Sequence, residues 1–426
     1  MKSVHIHSLE EPVIKDVIMP GSKSYTNRAL LLAALTKNSV TIKNPLFSDD
    51  TMAMIDCLQT LGIKIEVKDN IISVLGSIYD VDATTHMLNA KISGTTIRFM
   101  LALATLLPGK TILDGGEGLQ KRPIADLVDG LQQLGAKISY SGSTGNPPLI
   151  VEPAKILSHE VLLKGDISSQ YTSAMLMIAP MLDGLTINIV GEQISKPYID
   201  MTIDSMKQFG ITVINNEYKS YEVPKGEYVQ NEYTVEGDYS SAGYFFAIAA
   251  LTKSTITVYN LNPDSAQADR KFLDILAQMG NQVTYGKDFV TVKGNGVSSV
   301  AVTMESCPDQ VQTLAVLAAF AKGTTKISGI RSLRVKETER VMALQNELQK
   351  MGIQSDATDN TIAIYGGTPN PAFINTYGDH RMAMAFAVAG TKLAGIQIEN
   401  PSVVNKTFPN FWDTLISLGV QVEEEK

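Results

Sequence analysis

Cysteine is scarce in this chain of 426 residues, which has only Cys57 and Cys307. Two cysteines are too few for a disulfide framework, and neither has a neighbour in a Cys-x-x-Cys pattern that would bind a metal. The scarcity excludes a small disulfide-stapled scaffold and a cysteine-based zinc site. It is typical of a protein in a reducing compartment, so we expect a cytoplasmic protein.

Long apolar runs are also missing. Segments such as FMLALATLLPG stop well short of the ~18 residues that span a bilayer, and the opening MKSVHIHSLEEPVIKDVIMP carries charges throughout. We therefore expect no signal peptide, organelle-import segment or membrane anchor.

Positive charge is in deficit. The chain has 36 basic and 44 acidic residues, and its net charge of −8 opposes nonspecific attraction to nucleic acid or anionic membrane. Any cationic site must therefore be local. With 44% hydrophobic residues, a chain of this length is able to bury a large core and to form two to four domains.

An internal repeat of about 70 residues is present. An apolar-Gly pair with a strand-like tail, as in LGIKIEV, recurs at Gly62, Gly135, Gly210, Gly280, Gly352 and Gly419. A glycine just past an apolar-periodic segment indicates the end of a helix, and the alternation after it indicates a half-exposed strand. A second series with the same period marks six apolar helix openings, at Ser22, Ser93, Ser168, Ser240, Asp309 and Asp379.

The helices of the second series are apolar nearly all round, so we expect them to be buried. Since each unit holds helix and strand, the pattern predicts an α/β protein of six repeated units, three per domain. If the units of a domain are parallel, their buried helices begin at one face. Grouped helix N-termini attract anions.

Cations recur at these openings, although a helix start disfavours a cation by roughly 0.3–1 kcal/mol. Lys23 and Arg28 lie in PGSKSYTNRALLLAAL, and Arg98 follows Gly94 in SGTTIR. A bound phosphate or carboxylate would explain them. The alternatives are that Lys23 and Arg28 snorkel to solvent and that Arg98 is a surface residue of an ordinary capped helix. GSKS is not a P-loop, because no glycine directly precedes its lysine.

Two further stretches combine opposite charges at helix openings. RSLRVKETERVMAL contains Arg334, Lys336, Glu337 and Arg340, and GDHRMAMAF contains Asp379, His380 and Arg381. Each has an ordinary alternative, a solvated face with i,i+4 pairs for the first and a cap followed by a surface His-Arg pair for the second.

The count of such cations favours an anion site. They are Lys23, Arg28, Arg98, Arg122, Lys336, Arg340, Arg381 and Lys406. If these cations are grouped with no ligand bound, they repel one another, so we predict substrates with several negative charges. Asp309 and Glu337 lie among them and are suited to proton transfer.

The motifs PGSKSYTNRALLLAAL, SGTTIR, KRPI, DISSQYTSA, SKPYID, RVKETER, GDHRMAM and KTFP occur in the order and spacing of the enolpyruvyl transferase family. Over its whole length the chain resembles the 5-enolpyruvylshikimate-3-phosphate synthases of that family. The resemblance implies a two-domain inside-out α/β prism, or barrel, whose domains face each other across a cleft. One domain would hold residues 1–20 and 237–426 and the other residues 21–236, with crossover segments near residues 20 and 236.

The resemblance also implies a reaction. The enolpyruvyl group of phosphoenolpyruvate would pass to the 5-hydroxyl of shikimate 3-phosphate, and phosphate would leave a tetrahedral intermediate, in the shikimate pathway to chorismate and the aromatic amino acids. The implied partners are these two small molecules alone, with no metal, organic cofactor, nucleic acid or membrane, and the protein would be a monomer.

Site residues carry over by the same similarity. Those implied for shikimate 3-phosphate are Lys23, Ser24, Arg28, Ser168, Ser169, Gln170, Ser195, Tyr198, Asp309 and Lys336. Those implied for phosphoenolpyruvate are Lys23, Gly94, Arg98, Arg122, Gln170, Arg340, Arg381 and Lys406. Asp309 would take the 5-hydroxyl proton and Glu337 would handle the methylene proton, with Lys23 a competing acid-base candidate.

The chain departs from the family at three positions. Ile92 and Ser332 stand where asparagine is usual or frequent, and Leu333 replaces a frequent tryptophan.

Two alternative functions are compared with the residues of this chain. The sister transferase that acts on UDP-N-acetylglucosamine typically has a cysteine in the loop before Arg-Pro, where this chain has GGEGLQKRP. A noncatalytic anion-binding repeat protein would not need Asp309 and Glu337 among its cations.

Overall fold

The computed structural model describes residues 2–425. Its α-helices are α1 (Lys23–Ala34), α2 (Asp49–Thr60), α3 (Gly94–Ala104), α4 (Ala125–Gln133), α5 (Ser169–Ile178), α6 (Lys196–Gln208), α7 (Tyr239–Thr252), α8 (Phe272–Gln278), α9 (Val311–Phe320), α10 (Arg340–Lys350), α11 (His380–Gly390) and α12 (Phe411–Ser417). Its strands are β1 (Ser3–Ile6), β2 (Ile14–Ile18), β3 (Val40–Lys43), β4 (Ile65–Lys68), β5 (Ile71–Val74), β6 (His86–Asn89), β7 (Thr111–Asp114), β8 (Lys137–Tyr140), β9 (Leu149–Glu152), β10 (Glu160–Lys164), β11 (Gly184–Val190), β12 (Ile214–Asn216), β13 (Ser220–Pro224), β14 (Glu232–Thr234), β15 (Thr255–Tyr259), β16 (Gln282–Tyr285), β17 (Phe289–Lys293), β18 (Ala301–Thr303), β19 (Gly323–Ser328), β20 (Gln354–Ala357), β21 (Thr361–Gly366), β22 (Phe373–Ile374), β23 (Ile396–Glu399) and β24 (Val422–Glu425).

The described strands form six four-stranded sheets with one common arrangement. One edge strand runs parallel to its neighbour, and the two remaining pairings are antiparallel, as in β6-β7-β9-β8. The other orders are β14-β3-β5-β4, β10-β11-β13-β12, β2-β15-β17-β16, β18-β19-β21-β20 and β22-β23-β1-β24. The α/β class predicted from the sequence is confirmed.

The chain divides into two compact units. Gly21–Glu236 forms the first, called the continuous unit, and the residues up to Pro20 join those from Gly237 onward in the second, called the discontinuous unit. The ends of the continuous unit meet, since the backbone N–H of Ser22 donates to the carbonyl of Glu236 over 2.8 Å and β14 pairs in parallel with β3. In the discontinuous unit, β1 pairs with β23 and β24, which lie near the other end of the sequence, and β2 pairs with β15.

Three helices fill the centre of each unit. In the continuous unit α3 is buried along its whole length and packs on α1 and α5, and in the discontinuous unit α7, α9 and α11 pack together. Burial of these apolar helices confirms the sequence prediction. None of the helices within residues 2–425 is both long and apolar enough to cross a membrane.

The glycines that were predicted to end helices do so. Gly62, which follows α2, has a φ of +87°, and the other five also have positive φ, a conformation that glycine adopts at little cost. Two openings were predicted at the wrong residue. α9 begins at Val311, after a 3-10 turn that contains Asp309, and α7 begins at Tyr239 and not after Ser240. The carboxylate of Asp238 caps this helix and accepts a hydrogen bond from the backbone N–H of Ser241 over 2.9 Å.

Candidate active site

Arg28 lies inside the continuous unit, with 2% of its surface exposed. Its Nε donates to Thr202 Oγ1 over 2.8 Å, its Nη1 to the Ser24 carbonyl over 2.9 Å and its Nη2 to the Tyr198 carbonyl over 2.8 Å. Snorkelling to solvent is therefore wrong for this residue. Burial lowers the pKa of Arg28 to about 10, which leaves the side chain charged at neutral pH. These three acceptors are neutral oxygens.

Lys23 is held by an acidic residue of the next helix. Its Nζ lies 3.1 Å from Asp50 Oδ2, and the side chains of the pair are 18% and 3% exposed. The hydroxyl of Thr96 donates to the Asp50 carbonyl over 3.2 Å, which ties the start of α2 to the start of α3. Asp50 was not recognised from the sequence as a site residue, although the SDD segment that opens α2 is visible there as an acidic first turn.

Arg98 joins the starts of α3 and α5. Only 4% of this residue is exposed, so a surface arginine is the wrong interpretation. Its Nη1 donates to Gln170 Oε1, and its Nη2 donates to the Pro123 carbonyl over 3.2 Å. Gln170 in turn donates to Thr95 Oγ1 over 3.1 Å, so its amide is held between the two helix starts.

Arg122 approaches the backbone of Gly94 at the first residue of α3. A Cβ added to Gly94 would lie 2.6 Å from Arg122 Nη1 and 3.2 Å from Arg98 Nη1. The absence of a side chain therefore permits this approach. Gly94, Arg98, Arg122 and Gln170 form one group, called the α3 group.

The hydroxyl residues lie around the same openings. Ser168 caps α5, where its Oγ accepts from the backbone N–H of Gln170 over 3.3 Å, and Ser169 is buried in the first turn. Ser195 precedes α6 with a φ of +52°, and its carbonyl accepts from the N–H of Tyr198 over 3.1 Å. The α6 start thus lies against Arg28.

Arg340 is the centre of a charged cluster in the discontinuous unit, with 1% of the residue exposed. Its Nε lies 2.7 Å from Asp379 Oδ2, its Nη1 3.0 Å from Asp309 Oδ1 and its Nη2 2.8 Å from Glu337 Oε2. A solvated face is therefore the wrong interpretation of this residue. Burial alone would lower the pKa of Arg340, but these three carboxylates outweigh it and raise the pKa.

Asp309 bridges two arginines. Besides Arg340 it accepts from Arg381 Nη2 over 2.9 Å, and 15% of its side chain is exposed. Burial alone would raise the pKa of Asp309, but the charges of Arg381, Lys336 and Arg340 hold it below its usual range. Asp309 is therefore ionised at neutral pH.

The proposed surface pair His380-Arg381 is wrong, because both residues are buried, at 1% and 6% exposure. Arg381 Nη1 donates to the Tyr244 hydroxyl over 3.4 Å. Burial, together with the positive charges of Arg381 and Lys406, holds the pKa of His380 well below its usual range, so its imidazole is neutral.

Glu337 lies between two cations. Its Oε2 meets Arg340, and its Oε1 lies 2.8 Å from the Nζ of Lys406, a lysine whose residue is 5% exposed. Lys336 is half-buried, and its charge contributes to the low pKa of Asp309. Carboxylates thus alternate with cations in this cluster, and they reduce the repulsion expected among the cations alone.

Two acidic residues of this cluster went unrecognised as site residues. Asp379 was interpreted as a cap, which it is, since its Oδ1 accepts from the N–H of Arg381 over 2.9 Å, but it also binds Arg340. Asp269 lies next to Gln310, whose Nε2 donates to its Oδ1 over 3.3 Å. Burial and the charge of Asp309 raise the pKa of Asp269 to about 7. No motif marks Asp269, because its neighbours come from distant segments.

Comparisons with known proteins agree with one another. The model of the family EPSP synthase (3-phosphoshikimate 1-carboxyvinyltransferase) matches residues 9–415. A Shewanella piezotolerans protein named 3-phosphoshikimate 1-carboxyvinyltransferase is 40% identical, over 96% of this chain and 98% of its own length. A protein of the same name from Shewanella oneidensis is 39% identical, over 96% of this chain and 99% of its own length.

Solved structures are similar in fold. An EPSP synthase from Acinetobacter baumannii superposes with a TM-score of 0.85 at 23% identity, over 100% of both chains. The enolpyruvyl transferase NikO from Streptomyces tendae has a TM-score of 0.77 at 17% identity, over 100% of this chain and 99% of its own. With a family model that spans nearly all of the sequence and relatives at about 40% identity, this chain belongs to the EPSP synthase family.

Proposed function

We propose that this chain transfers the enolpyruvyl group of phosphoenolpyruvate to the 5-hydroxyl of shikimate 3-phosphate. Its family and its relatives' names support the 3-phosphoshikimate 1-carboxyvinyltransferase activity over UDP-N-acetylglucosamine transfer and over a noncatalytic role. The observation that carries the proposal is a set of buried cations beside two carboxylates, Asp309 and Glu337.

In the continuous unit, Arg28 is the proposed anchor for the phosphate of shikimate 3-phosphate. Its guanidinium is buried against neutral oxygens, so a bound dianion would supply opposite charge where water is excluded. Ser24 and Tyr198 contact Arg28 through their carbonyls, and Ser195 is hydrogen bonded to Tyr198. Ser168 and Ser169 lie at the start of α5, where hydroxyls and backbone N–H groups are able to bind an anion.

The α3 group is proposed to bind phosphoenolpyruvate. Arg122 and Arg98 come together over Gly94, where the backbone is unshielded by a side chain, and Gln170 offers an amide beside them. In the discontinuous unit, Arg340, Arg381 and Lys406 would bind the remaining anionic oxygens of this substrate, and Lys336 would contact shikimate 3-phosphate.

Asp309 is the proposed base for the 5-hydroxyl proton. In the structure its carboxylate is stabilised by Arg340 and Arg381, which makes it a weak base. An anionic substrate that binds these arginines would bring negative charge next to Asp309 and would raise its pKa. Substrate binding would thus strengthen the base at the step that needs it.

The methylene carbon of phosphoenolpyruvate must gain a proton during addition and lose one during elimination. Glu337 is the proposed group for these transfers, since it lies between Arg340 and Lys406. Lys23, paired with Asp50, is the competing candidate. Phosphate leaves the tetrahedral intermediate, and the cations would stabilise the charge that develops on it.

Cellular context follows from the same proposal. Cys57 and Cys307 are both free, buried thiols, which suits a reducing cytoplasm. We propose that the protein acts there as a monomer on its two small substrates.

The experiment measures phosphate release from phosphoenolpyruvate, with shikimate 3-phosphate and separately with UDP-N-acetylglucosamine as acceptor. We expect release only with shikimate 3-phosphate. Phosphate release only with the UDP sugar would overturn the assignment. Release with neither acceptor would support the noncatalytic anion-binding alternative.

Variants test the roles. Asp309→Asn and Glu337→Gln keep the side-chain shape and remove proton transfer, so kcat should fall about 10²–10⁴-fold with small changes in KM. Glu305→Gln, an exposed carboxylate of the same unit, is the matched control and should leave both constants unchanged. Unchanged turnover in Asp309→Asn would refute its assignment as the base.

A further inference from the structure

Two histidines and a glutamate lie together on the sheet β22-β23-β1-β24. His5 is in β1 and is paired in register with Glu423 of the edge strand β24. His7 follows two residues later, and its backbone N–H donates to the carbonyl of Gln421 over 3.0 Å. Because side chains alternate along a strand, His5, His7 and Glu423 point to the same face of the sheet.

The distances among the three side chains fit a small cation. His7 Nε2 lies 3.4 Å from Glu423 Oε2, and one potential ligand atom of each residue lies within 4.8 Å of the other two. In a tetrahedral site with metal–ligand distances of about 2.0–2.2 Å, ligand atoms are roughly 3.3–3.6 Å apart. The His7–Glu423 pair already has this separation, and the ligand atom of His5 lies within 4.8 Å of both partners.

We propose that His5, His7 and Glu423 bind a divalent transition metal, with Zn²⁺ as the best match. Two imidazole nitrogens and one carboxylate oxygen are a ligand set of zinc sites, whereas Mg²⁺ and Ca²⁺ prefer oxygen ligands. A fourth position would remain for water. An ordinary surface ion pair between His7 and Glu423 would not account for His5, whose ring stacks on that of His7 at 4.6 Å.

The site would join the two ends of the sequence. β1 opens the chain and β24 lies next to its end, so a metal held by both strands would fasten the edge of this sheet. Binding to the folded state alone would stabilise it by mass action. The three residues are separate from those proposed to bind substrate, so the site stands independently of the proposed function.

Isothermal titration of the full chain with ZnCl₂ tests the proposal. The protein carries no affinity tag, is first treated with a chelator and is kept in a buffer without phosphate. We expect one Zn²⁺ per chain. His5→Ala, His7→Ala and Glu423→Gln should each weaken binding at least about tenfold. His159→Ala, which removes an exposed histidine of the continuous unit, is the matched control and should bind as the unchanged chain does.

A second measurement reports the coordination geometry of the bound metal and distinguishes loss of the site from loss of folding. Co²⁺ at the site should give the intense visible absorption of a four-coordinate ion, and this band should be missing in the His5→Ala/His7→Ala double variant. The double variant should retain full phosphate-release activity, because neither histidine is among the residues proposed to bind substrate. Zinc binding unaltered in the double variant, or affinity weaker than about 1 mM in the original chain, would overturn the proposal.

Discussion

Two buried arginines have their charge stabilised in different ways. Arg340 is surrounded by three carboxylates of its own unit, whereas Arg28 donates to hydroxyl and carbonyl oxygens. An anion that binds Arg340 has to compete with these carboxylates, while an anion that binds Arg28 adds the counter-charge that its neutral acceptors lack. We therefore expect tight anion binding near Arg28. Near Arg340 we expect a bound anion to replace one or more of the carboxylates as its partner.

Asp269 makes stability depend on pH. Burial and Asp309 raise its pKa to about 7, above the value of about 3.9 in an unfolded chain. Its contribution to stability is complete below about pH 4 and is lost as the pH rises through about 7. Asp309, whose pKa is lowered, has the opposite effect on the pH dependence of stability. Its ionised carboxylate stabilises the folded state at neutral pH, and this stabilisation is lost only below about pH 4. Asp269→Asn should therefore gain on the order of 2 kcal/mol relative to the unchanged chain between pH 5 and pH 8.

Urea unfolding at pH 5 and at pH 8 measures this effect. The unchanged chain should be less stable at pH 8, and Asp269→Asn should reduce this difference. Asp264→Asn, at an exposed position of the same unit, is the control and should keep the full difference. An equal pH dependence in all three proteins would show that Asp269 is ionised in the folded state at both pH values.

At the level of single elements, local patterns predicted helix ends well and side-chain partners poorly. Gly62 and its five counterparts end helices because only a residue that tolerates positive φ continues the chain there. Burial of Arg340 and Arg381 was not predictable, because it depends on Asp309, a carboxylate from a distant segment of the chain. The opening at Ser240 was misplaced because Asp238, two residues earlier, is an equally good cap.

The start of α3 offers a test of the α3 group. In Gly94→Ala the new methyl group would lie 2.6 Å from Arg122 Nη1, so the guanidinium has to move. Since Nη1 is at the end of the flexible Arg122 side chain, the free energy of unfolding should hardly change. We expect KM for phosphoenolpyruvate to rise about tenfold, which corresponds to ~1.4 kcal/mol, and KM for shikimate 3-phosphate to change much less.

Gly116→Ala is the matched substitution in the loop that carries Arg122. Its Cβ would find its nearest neighbour, the Lys91 carbonyl oxygen, at an ordinary 3.5 Å. Steady-state kinetics of this variant should therefore be normal for both substrates. Equal losses in the two glycine variants would indicate a general effect of the loop and would count against a specific displacement of Arg122.

At the scale of the whole molecule, the period of about 70 residues was readable from the sequence, but strand pairing was not. β1 pairs with β23, so Ser3 lies opposite Glu399, and β14 pairs with β3 across nearly the whole continuous unit. Such pairings bring together segments whose local patterns are alike in every repeat. Only the three-dimensional arrangement distinguishes which copy of the strand joins which sheet.

The continuous unit should fold by itself. It has its own buried helices, and Ser22 and Glu236 are hydrogen bonded, so cutting the chain at residues 21 and 236 leaves its sheets complete. We expect a fragment of residues 21–236 to show native-like circular dichroism and cooperative urea unfolding, yet no phosphate release, because Asp309 and Glu337 are missing. A fragment of residues 21–231 lacks β14, the edge strand beside β3, and should unfold at lower urea. If neither fragment unfolds cooperatively, this unit depends on the rest of the chain, and if both unfold at the same urea concentration, β14 does not contribute to its stability.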